Sequence, residues 1–201
     1  NNKMAVNAFI TCPTNCAALT LPILDTNQDC FSSDGLSLSQ ITGVILLSKK
    51  DSSGATNTFP AANTLVGWSA VIDNTDTTGA KAKRLTVEGS MPAPELSTVQ
   101  LPKFKTVTKY RTYTLTGIVK QMSTNNFEFF RNMMCGGFVG YVWFITEDYI
   151  YGGITAPLAV EVDTIDANIV FDGAADSYVQ GDLIIKWKSS TFPSRIANFG
   201  F

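Results

Sequence analysis

The residue types that most often carry out catalysis are sparse in this chain. None of its 201 residues is a histidine, which excludes Ser-His-Asp and Cys-His catalysis, histidine general bases and histidine metal ligands. A carboxylate pair remains possible: Glu161 and Asp163 lie two positions apart, roughly 7 Å along a strand, a separation that glycosidases use. Both residues, however, fall on the polar half of a strict alternation. We therefore interpret them as part of a solvated face.

Two other stretches are similar to ligand-binding loops but lack their defining residues. Residues 73–79 alternate acids with hydroxyl and amide residues, as a calcium loop does. The glycine and the terminal glutamate of such a loop are misplaced here, which favours a plain turn. Gly136, Gly137 and Gly140 follow a helical pattern, whereas a phosphate-binding loop precedes a helix. We therefore expect that the chain is not an enzyme and has no cofactor and no metal site.

An aromatic cluster near residue 145 has two interpretations. Its members are Tyr141, Trp143, Phe144, Tyr149 and Tyr151. Such rings can stack on sugars. The more common arrangement is a β-hairpin whose rings pack in the core while the tyrosine hydroxyls reach water.

The four cysteines are unevenly placed. Cys12, Cys16 and Cys30 lie near the start, and Cys135 stands alone. The spacing of Cys12 and Cys16 lacks the second ligand pair of a zinc site. Free thiols in a reducing compartment remain one interpretation. A disulfide between two of the first three is the other, if the protein lives outside a cell.

The chain has few charges and no basic cluster along the sequence. Its formal net charge is −2 and only 16% of its residues are charged, against about 25% in a typical soluble domain. Nucleic-acid binders usually show a basic excess. Low charge with many threonines suits a subunit whose surface is covered by neighbours, because charges are costly to bury. The longest apolar stretch, residues 138–145, is far shorter than the ~20 residues of a membrane-spanning helix, so we expect no membrane partner.

The hydrophobic pattern predicts a mainly β fold. Strands are predicted near residues 44–47, 84–88, 138–146, 149–152, 158–171 and 183–188, and helices at 62–73 and 125–135. Asn63 or Thr64 can cap the first helix, and Gly136 with Gly137 can stop the second. The expected architecture is an antiparallel β-sandwich or barrel with one or two short flanking α-helices. We divide the chain into a loosely structured arm (1–35), a β-sandwich domain (36–190) and a tail (191–201).

The longest β-like segment covers residues 104–122 and is polar on both faces. Threonines and a tyrosine alternate with residues of mixed polarity, so neither face is purely apolar. Such a strand usually projects from the core and is covered by water or by another subunit. An ordinary internal strand is the alternative. The predicted interface residues are Lys105, Val107, Lys109, Arg111, Tyr113 and Leu115.

Four segments rich in aromatics and glycines follow one another in a distinctive order. They are 113–118 (Tyr-Thr-Leu-Thr-Gly-Ile), 127–131 (Phe-Glu-Phe-Phe-Arg), 138–146 (Phe-Val-Gly-Tyr-Val-Trp-Phe-Ile-Thr) and 149–153 (Tyr-Ile-Tyr-Gly-Gly). Phe59-Pro60, Trp68, Ile72 and residues 84–88 precede them. This order resembles virion structural proteins of tailed phages that infect Bacteroidetes and, more loosely, the tail tube family. The resemblance covers about residues 43–189. The N-terminal region with three cysteines departs from the family.

The resemblance implies a homo-oligomeric tail tube subunit. In that family, β-sandwich subunits form rings that stack around a lumen passing DNA, without a cofactor or catalytic residues. The ring-forming loop would correspond to residues 102–122 here. Such a protein would be assembled in the host cytoplasm, contact other virion proteins in the phage tail and let DNA pass without specific binding. A head decoration, head-to-tail ring or minor virion protein is one alternative. An extracellular carbohydrate-binding or adhesin module is the other.

Overall fold

The computed structural model describes residues 40–101, 105–135, 138–154, 160–171 and 178–200. The proposed arm, Cys12, Cys16, Cys30, Gly136 and Gly137 lie outside these ranges. The strands are β1 (Ile41–Ser48), β2 (Lys83–Ser90), β3 (Glu95–Leu101), β4 (Lys105–Val119), β5 (Gly140–Thr146), β6 (Tyr149–Tyr151), β7 (Val160–Glu161), β8 (Thr164–Val170), β9 (Gln180–Ser189) and β10 (Arg195–Ala197). The helices are α1 (Leu65–Ser69) and α2 (Thr124–Met134). The predicted mainly β, antiparallel class with short helices is confirmed.

One antiparallel sheet contains all the described strands, in the order β10-β6-β5-β1-β2-β4-β9-β8, with β3 on β4 and β7 on β5. The bent segment that carries β7 and β8 connects β5 to β9, since β7 pairs with β5 and β8 pairs with β9. At the bend, the Val162 amide donates to the Gly140 carbonyl and the Asp163 amide donates to the Lys186 carbonyl, both at 2.9 Å. The sheet therefore closes on itself as a barrel.

Aromatic contacts across the interior agree with this closure. Phe144 on β5 and Trp187 on β9 have ring centroids 6.0 Å apart. In a flat sheet, four strand spacings would separate these strands by about 19 Å. Within the same core, Tyr113 on β4 stacks at 5.4 Å on Trp187, its direct partner on the adjacent strand β9. The barrel interior is thus a packed core.

A second core lies outside the barrel, against β1 and β5. Ile45 and Trp143 point to this side, whereas their neighbours Val44 and Phe144 belong to the interior core. Trp68 of α1 meets Trp143 edge-on at 5.2 Å. Because both faces of β1 are buried from residue 44 to residue 47, that part of the strand is a continuous apolar run, Val-Ile-Leu-Leu, instead of an alternation.

Helix α1 is shorter than predicted. Thr64 caps it as expected, and its hydroxyl accepts from the Gly67 amide at 3.2 Å. The prediction of residues 62–73 is wrong at both ends, because the chain turns after Ala70 and Ile72 forms a bridge with Ala82.

Helix α2 matches its prediction within one residue and packs against β8. Ser123 caps it, accepting from the Asn126 amide at 3.3 Å. Its buried side carries Phe130, with Phe129 and Met133 partly buried. Met134, at the end of the helix, is 53% exposed.

Two strands were absent from the sequence prediction. Residues 95–101 form β3, and β10 pairs with β6 through Arg195, Ile196 and Ala197. The segment predicted as a C-terminal tail is therefore partly built into the sheet.

Candidate subunit interface

The outer part of β4 extends past the barrel. β4 pairs with β9 over Arg111–Val119 and with β2 over Thr116–Ile118. Its first half, from Lys105 to Thr112, pairs with β3 on one edge. The β9 pairing starts only at Arg111, so no described strand pairs with residues 105–110 on their other edge. We call residues 95–101 and 105–110 the outer hairpin.

β3 is the pairing partner of the outer part of β4. The sequence favours water or another subunit as the cover of this long strand, with an ordinary internal strand as the alternative. β3 provides this pairing within the same chain, with seven pairs from Glu95↔Thr112 to Leu101↔Lys105. Pro92 and Pro94 separate β3 from β2 because proline cannot donate to a ladder.

A β-bulge at Lys109 changes which residues share a face. Ser97 pairs with Tyr110, and the next pair is Thr98 with Thr108. Lys109 is therefore an extra residue, which shifts the alternation by one position. Paired residues share a face, so Val99, Val107, Ser97 and Tyr110 lie together. We call this the valine face, and the opposite side, with Leu96 and Arg111, the leucine face.

The structure distributes the six predicted interface residues among different environments. Tyr113 and Leu115 are buried in the barrel, at 1% and 0% exposure, so their side chains are not presented at the surface of the chain. Val107 is 39% exposed, and Lys109 and Arg111 are exposed. The side chain of Lys105 lies outside the described residues. Sequence reasoning missed Leu96 and Val99, which are 60% and 42% exposed, because β3 itself was not predicted.

Cations gather around Tyr110 at the base of the outer hairpin. The Lys109 and Lys188 ammonium groups lie 5.8 and 5.7 Å from the centre of its ring. This is cation–π distance. Lys188 belongs to β9, so linear spacing could not bring it to Tyr110. The Asp163 carboxylate, 4.0 Å from Lys188, offsets part of this charge.

The other sequence candidates have structural explanations. Glu161 pairs with Lys49, and this hydrogen bond raises the pKa of the lysine. Trp143 and Phe144 are buried, while the tyrosines of the aromatic cluster are half-buried, so the core-hairpin interpretation fits. Within the described residues, no group of three or more Cys, Asp or Glu side chains could hold a metal.

The acidic loop at residues 73–79 is organised by its own side chains and one lysine. Asp73 accepts from the Thr75 amide and hydroxyl at 2.8 and 2.6 Å. Asp76 accepts from the Thr78 hydroxyl and amide, which lowers its pKa to about 2. The Lys83 ammonium donates to the Asp73 and Asp76 carbonyls. The Lys83 ammonium thus contacts two backbone carbonyls of the loop, which a bound metal cation would otherwise use as ligands.

Comparisons with protein-family models, with curated proteins and with solved structures find no match for this chain. Neither described helix has the length and apolar character needed to cross a membrane.

Proposed function

We propose that the chain is a structural subunit of a phage virion, specifically a tail tube protein that forms stacked homo-oligomeric rings around a DNA-passing lumen. The outer hairpin is the observation that carries the proposal. It extends a strand pair beyond the barrel and exposes Leu96, Val99 and Val107. Exposed apolar residues on an extended strand pair are typical of surfaces that another protein covers.

The valine face is the proposed contact with the neighbouring subunit. Val99 and Val107 are directly paired across the two strands, so their side chains form one apolar patch. Tyr110 borders this patch and is surrounded by lysines. An apolar centre with a polar, cationic rim is the usual composition of an interface. The free edge of β3 in the described region could also add a neighbour's strand.

The chain has no net positive charge, which supports a lumen that lets DNA pass rather than a site that binds DNA. With a formal charge of −2, the subunit would not retain phosphates by counterion release. A head-to-tail ring or head decoration protein would use the same contact without stacking into tubes, and remains the second candidate.

The test compares substitutions on the two faces of the outer hairpin. The variant Val99→Asp/Val107→Asp places charges on the valine face, and Leu96→Asp is the matched control on the leucine face. Because all three side chains are exposed, each change should alter stability by about 1 kcal/mol or less. Negative-stain microscopy and sedimentation velocity report assembly, and thermal unfolding reports the fold.

We expect tubes from the unmodified chain and from Leu96→Asp, and a folded monomer from the double variant. Isolated rings that never stack would favour the second candidate. A monomeric unmodified chain, or tubes from the double variant, would contradict the proposal.

A further inference from the structure

A polar groove lies between the acidic loop and helix α2, away from the outer hairpin. Its volume is about 720 Å³, within the range of small-molecule sites. The lining residues used below are Thr75, Thr77, Asn125, Phe129 and Asn132. We propose that this groove binds a neutral carbohydrate.

The helical wall presents an aromatic ring between two amides. Asn125, Phe129 and Asn132 are spaced i, i+4 and i+7, so they share one face of α2. Phe129 is half-buried against the core, which fixes its ring while leaving part of it accessible. Neither amide side chain has a hydrogen-bond partner among the described residues. An amide both donates and accepts, as a sugar hydroxyl requires, and an aromatic face suits the apolar face of a sugar ring.

The opposite wall is a loop held rigid by hydrogen bonds. The Asn74 side chain makes two bonds with the Arg84 backbone, at 2.9 and 2.7 Å. Asp76 accepts from the Lys81 amide at 3.1 Å. Thr75 and Thr77 project exposed hydroxyls from this loop. Because both walls are already ordered, binding would not incur the cost of ordering them.

The charge balance indicates a neutral ligand. Two carboxylates, Asp76 and Glu128, and two cations, Lys83 and Arg84, line the groove. Glu128 is paired with Arg131 at 2.8 Å, and Lys83 with loop carbonyls. An anion such as a phosphate would find no excess positive charge here. A polyhydroxyl ligand needs none.

The test uses the full chain labelled with ¹⁵N, titrated with maltotriose, lactose and chitotriose up to 20 mM. The backbone amide signals of Thr75, Thr77 and Phe129, which line the groove and are kept in every variant, should shift and saturate with at least one of these sugars. The side-chain amide signals of Asn125 and Asn132 should shift with them in the chain that retains both asparagines. The variant Asn125→Ala/Asn132→Ala should weaken that binding at least tenfold. Alanine has a higher helix propensity than asparagine, so a loss of binding would not be explained by loss of the helix.

Asn168→Ala, an exposed amide replaced on β8, is the matched control and should bind as the unmodified chain does. The inference would be overturned if none of the three sugars shifts the groove signals at 20 mM, or if the double variant binds with unchanged affinity. All titrations use chains that also carry Val99→Asp/Val107→Asp on the outer hairpin, away from the groove, and sedimentation velocity checks that they are monomeric. Sugar binding by the groove is thereby measured separately from assembly, and its outcome is independent of the tail tube proposal.

Discussion

Gly181 and Phe130 provide a quantitative test of how α2 docks on the barrel. A Cβ added at Gly181 would lie 2.6–2.8 Å from three atoms at the far end of the Phe130 ring. That ring is fully buried, so it cannot swing into solvent. Gly181→Ala should therefore overpack the core at a cost of about 1–3 kcal/mol. Alanine regains roughly 0.5–1 kcal/mol over glycine in a strand, which leaves a destabilisation of up to about 2.5 kcal/mol.

Phe130→Leu should rescue this loss. Leucine lacks the ring atoms that clash, so the double variant should be more stable than the sum of the single changes predicts, by at least about 0.5 kcal/mol. Urea unfolding followed by tryptophan fluorescence measures each free energy, and each kcal/mol should also lower Tm by about 2–4 °C. Gly117→Ala is the control, because its nearest neighbour is a Val87 carbon at 3.3 Å. Additive effects of the two changes would refute the geometry.

Two further predictions concern the acidic loop and the outer core. The pKa of Asp76 is lowered from 3.8 to about 2, so the ionised carboxylate stabilises the fold above the unfolded pKa, and this contribution is lost as pH falls through 2. The stability difference between the unmodified chain and Asp76→Asn should be constant above about pH 5 and shrink between pH 4 and pH 2 in urea unfolding; a pH-independent difference would contradict it. Trp143→Phe removes the 2.9 Å hydrogen bond from the indole to the buried Gly153 carbonyl. It should cost about 1–3 kcal/mol, and a change below about 0.5 kcal/mol in the same assay would show that the bond is dispensable.

Most regular elements could be predicted because their signals are local. The alternation along β4, the apolar run of β5 and the Thr64 cap of α1 are all encoded within about a dozen residues. β3 gives a weak signal, since Glu95, Ser97 and Gln100 interrupt its apolar residues and Pro94 precedes it. It becomes a strand because β4 provides its hydrogen-bonding partner.

The sequence alone could not assign the residues of β4 to the correct faces of the strand, because these faces depend on contacts between distant segments. A strict alternation put Val107 and Tyr113 on one face, but the bulge at Lys109 separates them. Pairing of β4 with β9 stacks Tyr113 on Trp187, which is 74 positions later in the chain. The lysines around Tyr110 and the two walls of the polar groove likewise come from distant segments.

The pairing of β1 has a consequence for how the protein is made. Thr42 on β1 donates to the Ile145 carbonyl on β5, 103 positions later. At about 5–20 residues per second, a ribosome needs roughly 5–20 s to synthesise the intervening chain. During that interval β1, whose two faces are buried in the folded protein, has at least one unpaired edge, and unpaired apolar edges favour aggregation. The yield of soluble protein should therefore depend on translation speed and on chaperones that shield the nascent β1.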